Sequence, residues 1–414
     1  MPALPAPGAG MSVSPARRVA YEVLMRVFEQ DAYADRVFRS AAEGLDERER
    51  AFAHRLAYGA VQRVRTLDHA IETLGKRPVR KLDPPVRASL RLGAYQLGYT
   101  ETAPHAAANE SVELVRRARL ERAVPFTNAV MRRLAEGIGP LLASLPDGPL
   151  KESYPDWIAD VWTRDLGADS ALALMRTMNE PLETVVRLVR GDPPPGAEPT
   201  DVPGAFRVER VDDLAVADGR IWPQSRGSQL AGLVVGSHDG ERVLDLCAAP
   251  GGKTAQQRGD VTAVEIDRNR ARELRENMVR LGATNVTVVE ADGTALPPGL
   301  DGFDRALVDA PCSGLGVLAQ RPDLRWRAEP LPELQLALLR SAAERVRAGG
   351  TIVYSVCTPN ADENEAVVEA SGLRVLPLGG EWPAFAHPRR PEFLLTLPHV
   401  HGTTGFFVAK LARD

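Results

Sequence analysis

Cysteine is scarce in this chain of 414 residues, which has only Cys247, Cys312 and Cys357. They stand far apart without metal-ligand spacing, which argues against a disulfide framework or a zinc site and leaves thiol chemistry as the role open to them. Long apolar runs are also missing. No stretch approaches the about 18 residues of a membrane span, so a cytoplasmic protein with no membrane partner and no metal is expected. Charge of one sign is not in excess either: 51 Lys+Arg against 55 Asp+Glu leave a net charge of -4, which argues against indiscriminate coating of nucleic acid. The opening residues 1–12, rich in Pro, Ala and Gly, are expected to form a disordered tail.

What is present is enough for two or three domains. A hydrophobic fraction of 44% with 26% charged residues suits a globular chain with substantial cores. Charge is distributed unevenly. Residues 1–150 hold 22 basic and 17 acidic side chains, a balance of +5, and the remaining 29 basic and 38 acidic give -9. Nine basic residues lie between Arg55 and Arg91, including Lys76, Arg77, Arg80 and Lys81, against three acidic ones. Such a run suits contact with phosphates, although a solvated helix face reads the same way.

Apolar residues recur at three- and four-residue spacing over 13–140, as in Ala20, Val23, Leu24, Val27 and Phe28, which predicts an all-helical domain. Breaks are expected at Asp83-Pro84-Pro85 and Ala103-Pro104, and Asn109 is a candidate cap for a helix starting near Ser111. Residues 141–220 read as a connecting subdomain, with helices over 156–166 and 170–178 and a strand over 184–189. From 221 to 414 short β-branched runs alternate with helices, which predicts an α/β fold with a doubly wound parallel sheet. A monomer is the default assembly.

Ligands of such sheets sit beyond the carboxyl ends of the strands. There the chain places Cys247-Ala248-Ala249-Pro250-Gly251-Gly252-Lys253, a glycine-bearing loop that is neither a Walker loop nor a GxGxxG dinucleotide loop. It is better suited to an amino-acid zwitterion and a ribose than to phosphates. The second strand ends in Glu265 and Asp267, either of which suits ribose hydroxyls, with Glu265 preferred. The third ends at Asp292, suited to an adenine amine. The fourth runs into Asp309-Ala310-Pro311-Cys312. A cap or plain turn explains any one acid alone, but four successive strand ends of this kind are poorly explained that way.

The segments LDLCAAPGGKT (244–254), AVEIDRNR (263–270), ADG (291–293), DAPCSGLGVL with RPDLRW (309–326), YSVCTPNADENE (354–365) and HGTTGFF (401–407) closely resemble the 5-methylcytosine RNA methyltransferases of the Sun/Fmu/Nop2 type, in particular their bacterial RsmB-like branch. LAYGAVQR (56–63), RLGAYQLGY (91–99), NESVEL (109–114) and PFTNAVMRRL (125–134) are similar to a NusB-type RNA-binding domain. The resemblance implies a class I Rossmann-like methyltransferase domain behind an all-α NusB-like domain, S-adenosyl-L-methionine as cofactor, and RNA as partner, with small-subunit ribosomal RNA foremost and transfer RNA as the alternative.

The chemistry so implied is covalent. Cytosine C5 is too weak a nucleophile to attack a methyl sulfonium until a thiolate has added at C6. The resemblance assigns that thiol to Cys357, proton removal and release to Cys312, the contact to cytosine N3 to Asp309, and cofactor or catalytic-group orientation to Lys253. The Pro311-Cys312 pair keeps Cys312 open as a rival nucleophile, because DNA cytosine methyltransferases attack from such a pair. Cys247 is expected to be a packed thiol at the edge of the cofactor loop. Only nine residues, 254–262, separate Lys253 from the AVEID segment, so the intervening helix must be very short. A reading from another class is an RNA-binding assembly factor whose methyltransferase fold is inactive.

Overall fold

The computed structural model describes residues 13–414, so the tail expected over 1–12 lies outside the described residues. The chain divides into two compact units, residues 1–160 with 320–327, and residues 161–319 with 328–414.

The first unit is built on helices Pro15–Glu29, Ala34–Ala41, Glu47–Gln62, Val64–Gly75, Pro84–Tyr99, Pro104–Arg117 and Val124–Ser144. The periodic residues Val23, Leu24, Leu56, Leu67, Ile71, Leu90 and Leu134 meet in one core, each almost fully buried. Pro84 and Pro104 open their helices at positions where the missing amide is not needed. Asn109 therefore lies inside Pro104–Arg117 and caps nothing, because the proline five residues earlier sets the start. Pro140 likewise lies inside Val124–Ser144, so that helix runs through the boundary expected at residue 140. The basic run is partly consumed within the unit: Arg91 forms a bidentate pair with Asp68 at 2.7 Å, and Arg63, Arg65 and Arg87 pair with Glu152, Asp156 and Glu29. Arg55, Lys76, Arg77, Arg80 and Lys81 remain exposed, without a carboxylate partner among the described residues.

Residues 320–327 are part of this helical core. Arg325 is fully buried with its guanidinium 3.9 Å from the Tyr154 ring centroid, and the Trp326 indole donates to the Val61 carbonyl at 2.7 Å.

The second unit holds two sheets. Strands β1 (Val185–Leu188), β2 (Glu198–Pro199), β3 (Ala205–Arg207) and β4 (Ile221–Pro223) form a small antiparallel sheet in the order β2-β3-β1-β4. It extends past the boundary expected at 220. The main sheet comprises β5 (Arg242–Leu246), β6 (Asp260–Glu265), β7 (Val286–Glu290), β8 (Phe303–Asp309), β9 (Val346–Val356), β10 (Arg374–Leu376), β11 (Leu394–Thr396) and β12 (Phe406–Ala412). Its order is β10-β12-β9-β8-β5-β6-β7, with β11 on β12. The five strands β5 to β9 are parallel, as expected, whereas β12 runs antiparallel to β9, β10 and β11 and makes the sheet mixed. Strand order reverses between β5 and β8, the switch point where such sheets open a crevice. In register there, Leu246 faces both Val264 and Val308, and Asp309 faces Ser355. Apolar residues of both faces, such as Leu244 and Val308 on one and Val243 and Leu307 on the other, are buried under helices. The chain thus carries a helical region followed by a Rossmann-like α/β fold.

Candidate active site

The loop after β5 is held by its backbone. Cys247 adopts φ 62°, and Gly251, at φ 106°, leaves no space for a Cβ, which would lie 2.4 Å from the Met278 methyl. A Cβ on Gly252 would lie 2.6 Å from the Trp222 indole nitrogen. Both glycines are therefore required by close packing and, at Gly251, by a left-handed backbone. After the loop only one short helical turn, Thr254–Gln256, precedes β6, which matches the brevity expected of this connection.

Side chains from elsewhere fasten the loop by its carbonyls. Arg270 donates to Ala249 O at 2.8 Å, Asn277 to Pro250 O at 2.8 Å, Arg187 to Gly252 O at 3.3 Å and Gln257 to Lys253 O at 2.9 Å. Arg187 is buried in β1, bonded otherwise to Gln224, and burial lowers its pKa to about 10. None of these four ties was foreseen; three of them, those of Arg270, Asn277 and Arg187, join residues remote in sequence.

Beside the loop opens a cavity of about 260 Å³, lined by Trp222, Asp245, Lys253, Asp309, Val317 and Phe406 among others. Asp245 is almost fully buried. One carboxylate oxygen accepts from Thr254 Oγ1 at 2.7 Å, while Oδ1 has no hydrogen-bond partner among the described residues. Burial pushes its pKa up to about 7, with Thr254 and Lys253 opposing the rise. Lys253 Nζ lies 2.8 Å from Asp309 Oδ2 and 4.8 Å from the Phe406 ring centroid, and Ser355 Oγ donates to Asp309 Oδ1 at 2.7 Å. Both oxygens of Asp309 are thereby oriented.

At the ends of β8 and β9 the two remaining thiols meet, with Cys312 Sγ 3.3 Å from Cys357 Sγ. The hydrogen bond to Cys357, reinforced by burial, raises the Cys312 pKa well above its ordinary value and keeps that thiol protonated. Glu363, wholly buried, organises the surroundings. Its carboxylate accepts from Ser313 N at 2.9 Å, from Gln335 Nε2 at 2.9 Å, from Leu331 N at 3.2 Å, from Asn360 Nδ2 at 3.3 Å and from Ser313 Oγ. Ser313 Oγ is also 3.0 Å from Thr358 Oγ1, so the residues following the two cysteines are bonded to each other. Gly316 closes the loop, donating to Cys357 O at 2.9 Å and accepting from Gly405 N at 2.8 Å.

Residues 233–412 match the family described as 16S rRNA methyltransferase RsmB/F, and residues 14–136 match the NusB family. A probable ribosomal RNA small subunit methyltransferase B of Synechocystis sp. is 32% identical across 96% of this chain and 99% of that protein. This chain belongs to the RsmB/F methyltransferase family. A second relative, the ribosomal RNA small subunit methyltransferase B of Thermus thermophilus, is 35% identical over 89% of both chains. The crystal structure of PH0851 shares the fold over 98% of this chain and all of that one, with a TM-score of 0.80 at 22% identity. A methyltransferase homolog from Pyrococcus horikoshii, 28% identical, covers 64% of this chain and 97% of that one at a TM-score of 0.55. RsmB/F membership makes the chain one of a family of RNA methyltransferases.

The expected residues of this RsmB/F chain divide into three groups. Cys247, Ala248, Ala249, Pro250, Gly252, Lys253 and Asp309 line one cavity, and Gly251 completes the loop they form. Glu265 and Asp267 differ in direction. Glu265 is buried with Oε1 accepting from Asp267 N at 3.0 Å, and among the described residues its Oε2 accepts no hydrogen bond and has a 3.5 Å ion contact to exposed Arg270. Asp267 is exposed and spent on capping helix Arg268–Leu281 through Asn269 N and Arg270 N, both at 2.9 Å. Asp292 is exposed, and one of its oxygens closes its own turn onto Thr294 at 2.8 and 2.7 Å. Burial and nearby carboxylates push the Cys247 thiol up to about 12, in keeping with a packed thiol. Among the described residues no His, Cys, Asp or Glu cluster suits a metal ion, and no helix is long and apolar enough to cross a membrane.

Proposed function

We propose that this chain methylates cytosine C5 in RNA, with S-adenosyl-L-methionine as methyl donor and small-subunit ribosomal RNA as substrate, through a covalent Cys357-C6 adduct. The observation that carries the reading is the convergence of Cys357, Cys312 and the Lys253–Asp309 pair at the adjoining ends of β8 and β9. Two thiols in contact beside an oriented carboxylate suit nucleophilic addition to a base far better than hydrolysis or phosphate transfer.

The cofactor's chemistry fits the residues present. Glu265 keeps a buried oxygen free of hydrogen bonds for ribose hydroxyls, Asp245 keeps Oδ1 free for an ammonium, and Ile266, 69% exposed beside Glu265, offers apolar surface to a purine. When bound, S-adenosyl-L-methionine supplies an electrophilic methyl group.

The protein's own groups perform the rest. Cys357 as thiolate attacks C6 of a cytosine that has been unstacked, because C6 is accessible only from the face of the base. Asp309, oriented by Lys253 and Ser355, holds a proton at N3 and so draws electron density away from C6. Once Cys357 is alkylated, the hydrogen bond that chiefly keeps Cys312 protonated is gone, so Cys312 releases its proton to solvent and, as thiolate, takes the C5 proton. The C5–H electrons re-form the C5=C6 bond and expel Cys357 as thiolate. The raised Cys312 pKa makes that thiol a poorer nucleophile, which supports Cys357 over its rival.

The test is incubation with labelled S-adenosyl-L-methionine and unmodified small-subunit ribosomal RNA, followed by mass spectrometry of the nucleosides. Labelled 5-methylcytosine from wild type, none from Cys357→Ala, and a trapped protein-RNA adduct from Cys312→Ala are expected. Cofactor and RNA binding without any methylated base would favour the passive assembly factor instead, and methylation of transfer RNA alone would move the substrate.

A further inference from the structure

The thiol pair has a second capacity that methyl transfer does not use. Cys312 and Cys357 are both partly exposed, and their sulfurs are 3.3 Å apart. A disulfide has sulfurs about 2.05 Å apart, so closure needs a movement on the order of 1 Å. The two loops are already locked side by side, since Ser313 and Thr358, the next residue after each cysteine, are hydrogen-bonded at 3.0 Å, and the buried Glu363 holds Ser313 together with Asn360, whose backbone N donates to Thr358. Loop closure, the step that usually limits pairing of distant cysteines, is therefore complete in the folded chain.

We propose that Cys312 and Cys357 form a modification site for hydroperoxides, which convert the pair to a disulfide and so switch the site off reversibly. The Cys357 thiolate attacks the peroxide, forming an S–O bond while the O–O bond breaks and water or an alcohol leaves. Cys312 sulfur then attacks the sulfenic sulfur of Cys357. The S–S bond forms, the S–O bond breaks, and hydroxide departs as water with the proton of Cys312. Two thiols lose two electrons in all, and one hydroperoxide is reduced by two. Oxidation of Cys357 removes the hydrogen bond that holds Cys312 protonated, so the resolving thiol becomes more reactive when it is needed. Cys247, with its thiol raised to about 12, takes no part.

The experiment treats the full chain, freed of reductant, with equimolar hydrogen peroxide and reads intact mass and a non-reducing peptide map. Loss of two hydrogens, a Cys312–Cys357 linked peptide and full reversal by dithiothreitol are expected, with the same result from Cys247→Ser. In Cys312→Ser the resolving thiol is gone, and Cys357 should instead be trapped by dimedone as sulfenic acid. Accumulation of sulfinic or sulfonic acid on Cys357 beside a still alkylatable Cys312, or linkage through Cys247, would overturn the proposal. The mass readout stands apart from methyl transfer, so failure of the one and failure of the proposed activity are distinguishable.

Discussion

Replacing Glu363 tests how the two thiols are held in register. The wild-type carboxylate is fully buried, without a cationic partner among the described residues, and accepts from Ser313 N, Ser313 Oγ, Gln335 Nε2, Leu331 N and Asn360 Nδ2. Glu363→Ala leaves these donors without their acceptor. A buried donor stripped of its partner costs about 1–3 kcal/mol, and some of the five will find others or water, so the expected loss is about 3–5 kcal/mol. For a unit of this size about 3 kcal/mol corresponds to roughly 6–12 °C in melting temperature. Glu363→Gln keeps the shape but turns one acceptor into a donor that faces donors, and should lose about 1–3 kcal/mol. Release of Ser313 also frees the Cys312 loop, and a misplacement on the order of 1 Å lowers methyl transfer by about 100-fold. Differential scanning calorimetry and alkylation rates of Cys312 and Cys357 are the assays. A Glu363→Ala protein that melts within about 1 °C of wild type, with unchanged alkylation rates, would refute the argument.

Three further outcomes follow from the geometry. Asp245 has a folded pKa near 7 against an ordinary 3.8, so its contribution to stability is whole at low pH and is lost as pH rises toward 7. Asp245→Asn should therefore gain on wild type in urea denaturation between pH 5 and pH 8, by at least about 1 kcal/mol, and a constant difference across that range would contradict the assignment. Lys253→Met removes the ion pair to Asp309, and single-turnover methylation should fall by about 10²–10³ with RNA binding unchanged. Substituting Lys76, Arg77, Arg80 and Lys81 by Ala should weaken RNA binding and flatten its log–log dependence on salt by about 0.7–0.9 per lost phosphate contact; an unchanged slope would show that this face does not meet the RNA.

Much of the site was legible because it follows strand ends. Period and β-branching locate β5 to β9, and residues just beyond their carboxyl ends meet by topology alone. The short turn over 254–256 was legible from spacing. What sequence did not disclose depends on partners remote along the chain. Arg187, Asn277 and Arg270 read as ordinary polar residues, yet each holds one carbonyl of the glycine loop. Glu363 lay within a quoted motif, and nothing local showed that its carboxylate would turn inward to bind Ser313, 50 residues earlier. Asp267 stood as the alternative to Glu265 for the ribose and Asp292 as the candidate for the adenine amine, and only the backbone shows that both are occupied with their own turns. Asn109 failed as a cap for the opposite reason, since Pro104, already noted as a break, sets the helix start.

The placement of residues 320–327 bears on how such a chain is inherited. The octapeptide continues the loop of Cys312, yet its Arg325 and Trp326 complete a hydrophobic core otherwise made from the first 160 residues. The helical half is therefore not a detachable bead. Cutting the gene near its middle would strip that core of a buried arginine–tyrosine stack and leave the same arginine and tryptophan without their partners in the remaining piece. Gain or loss of the helical half in a lineage should accordingly be accompanied by rewriting of this octapeptide, and shuffling of the two halves as free cassettes should be selected against.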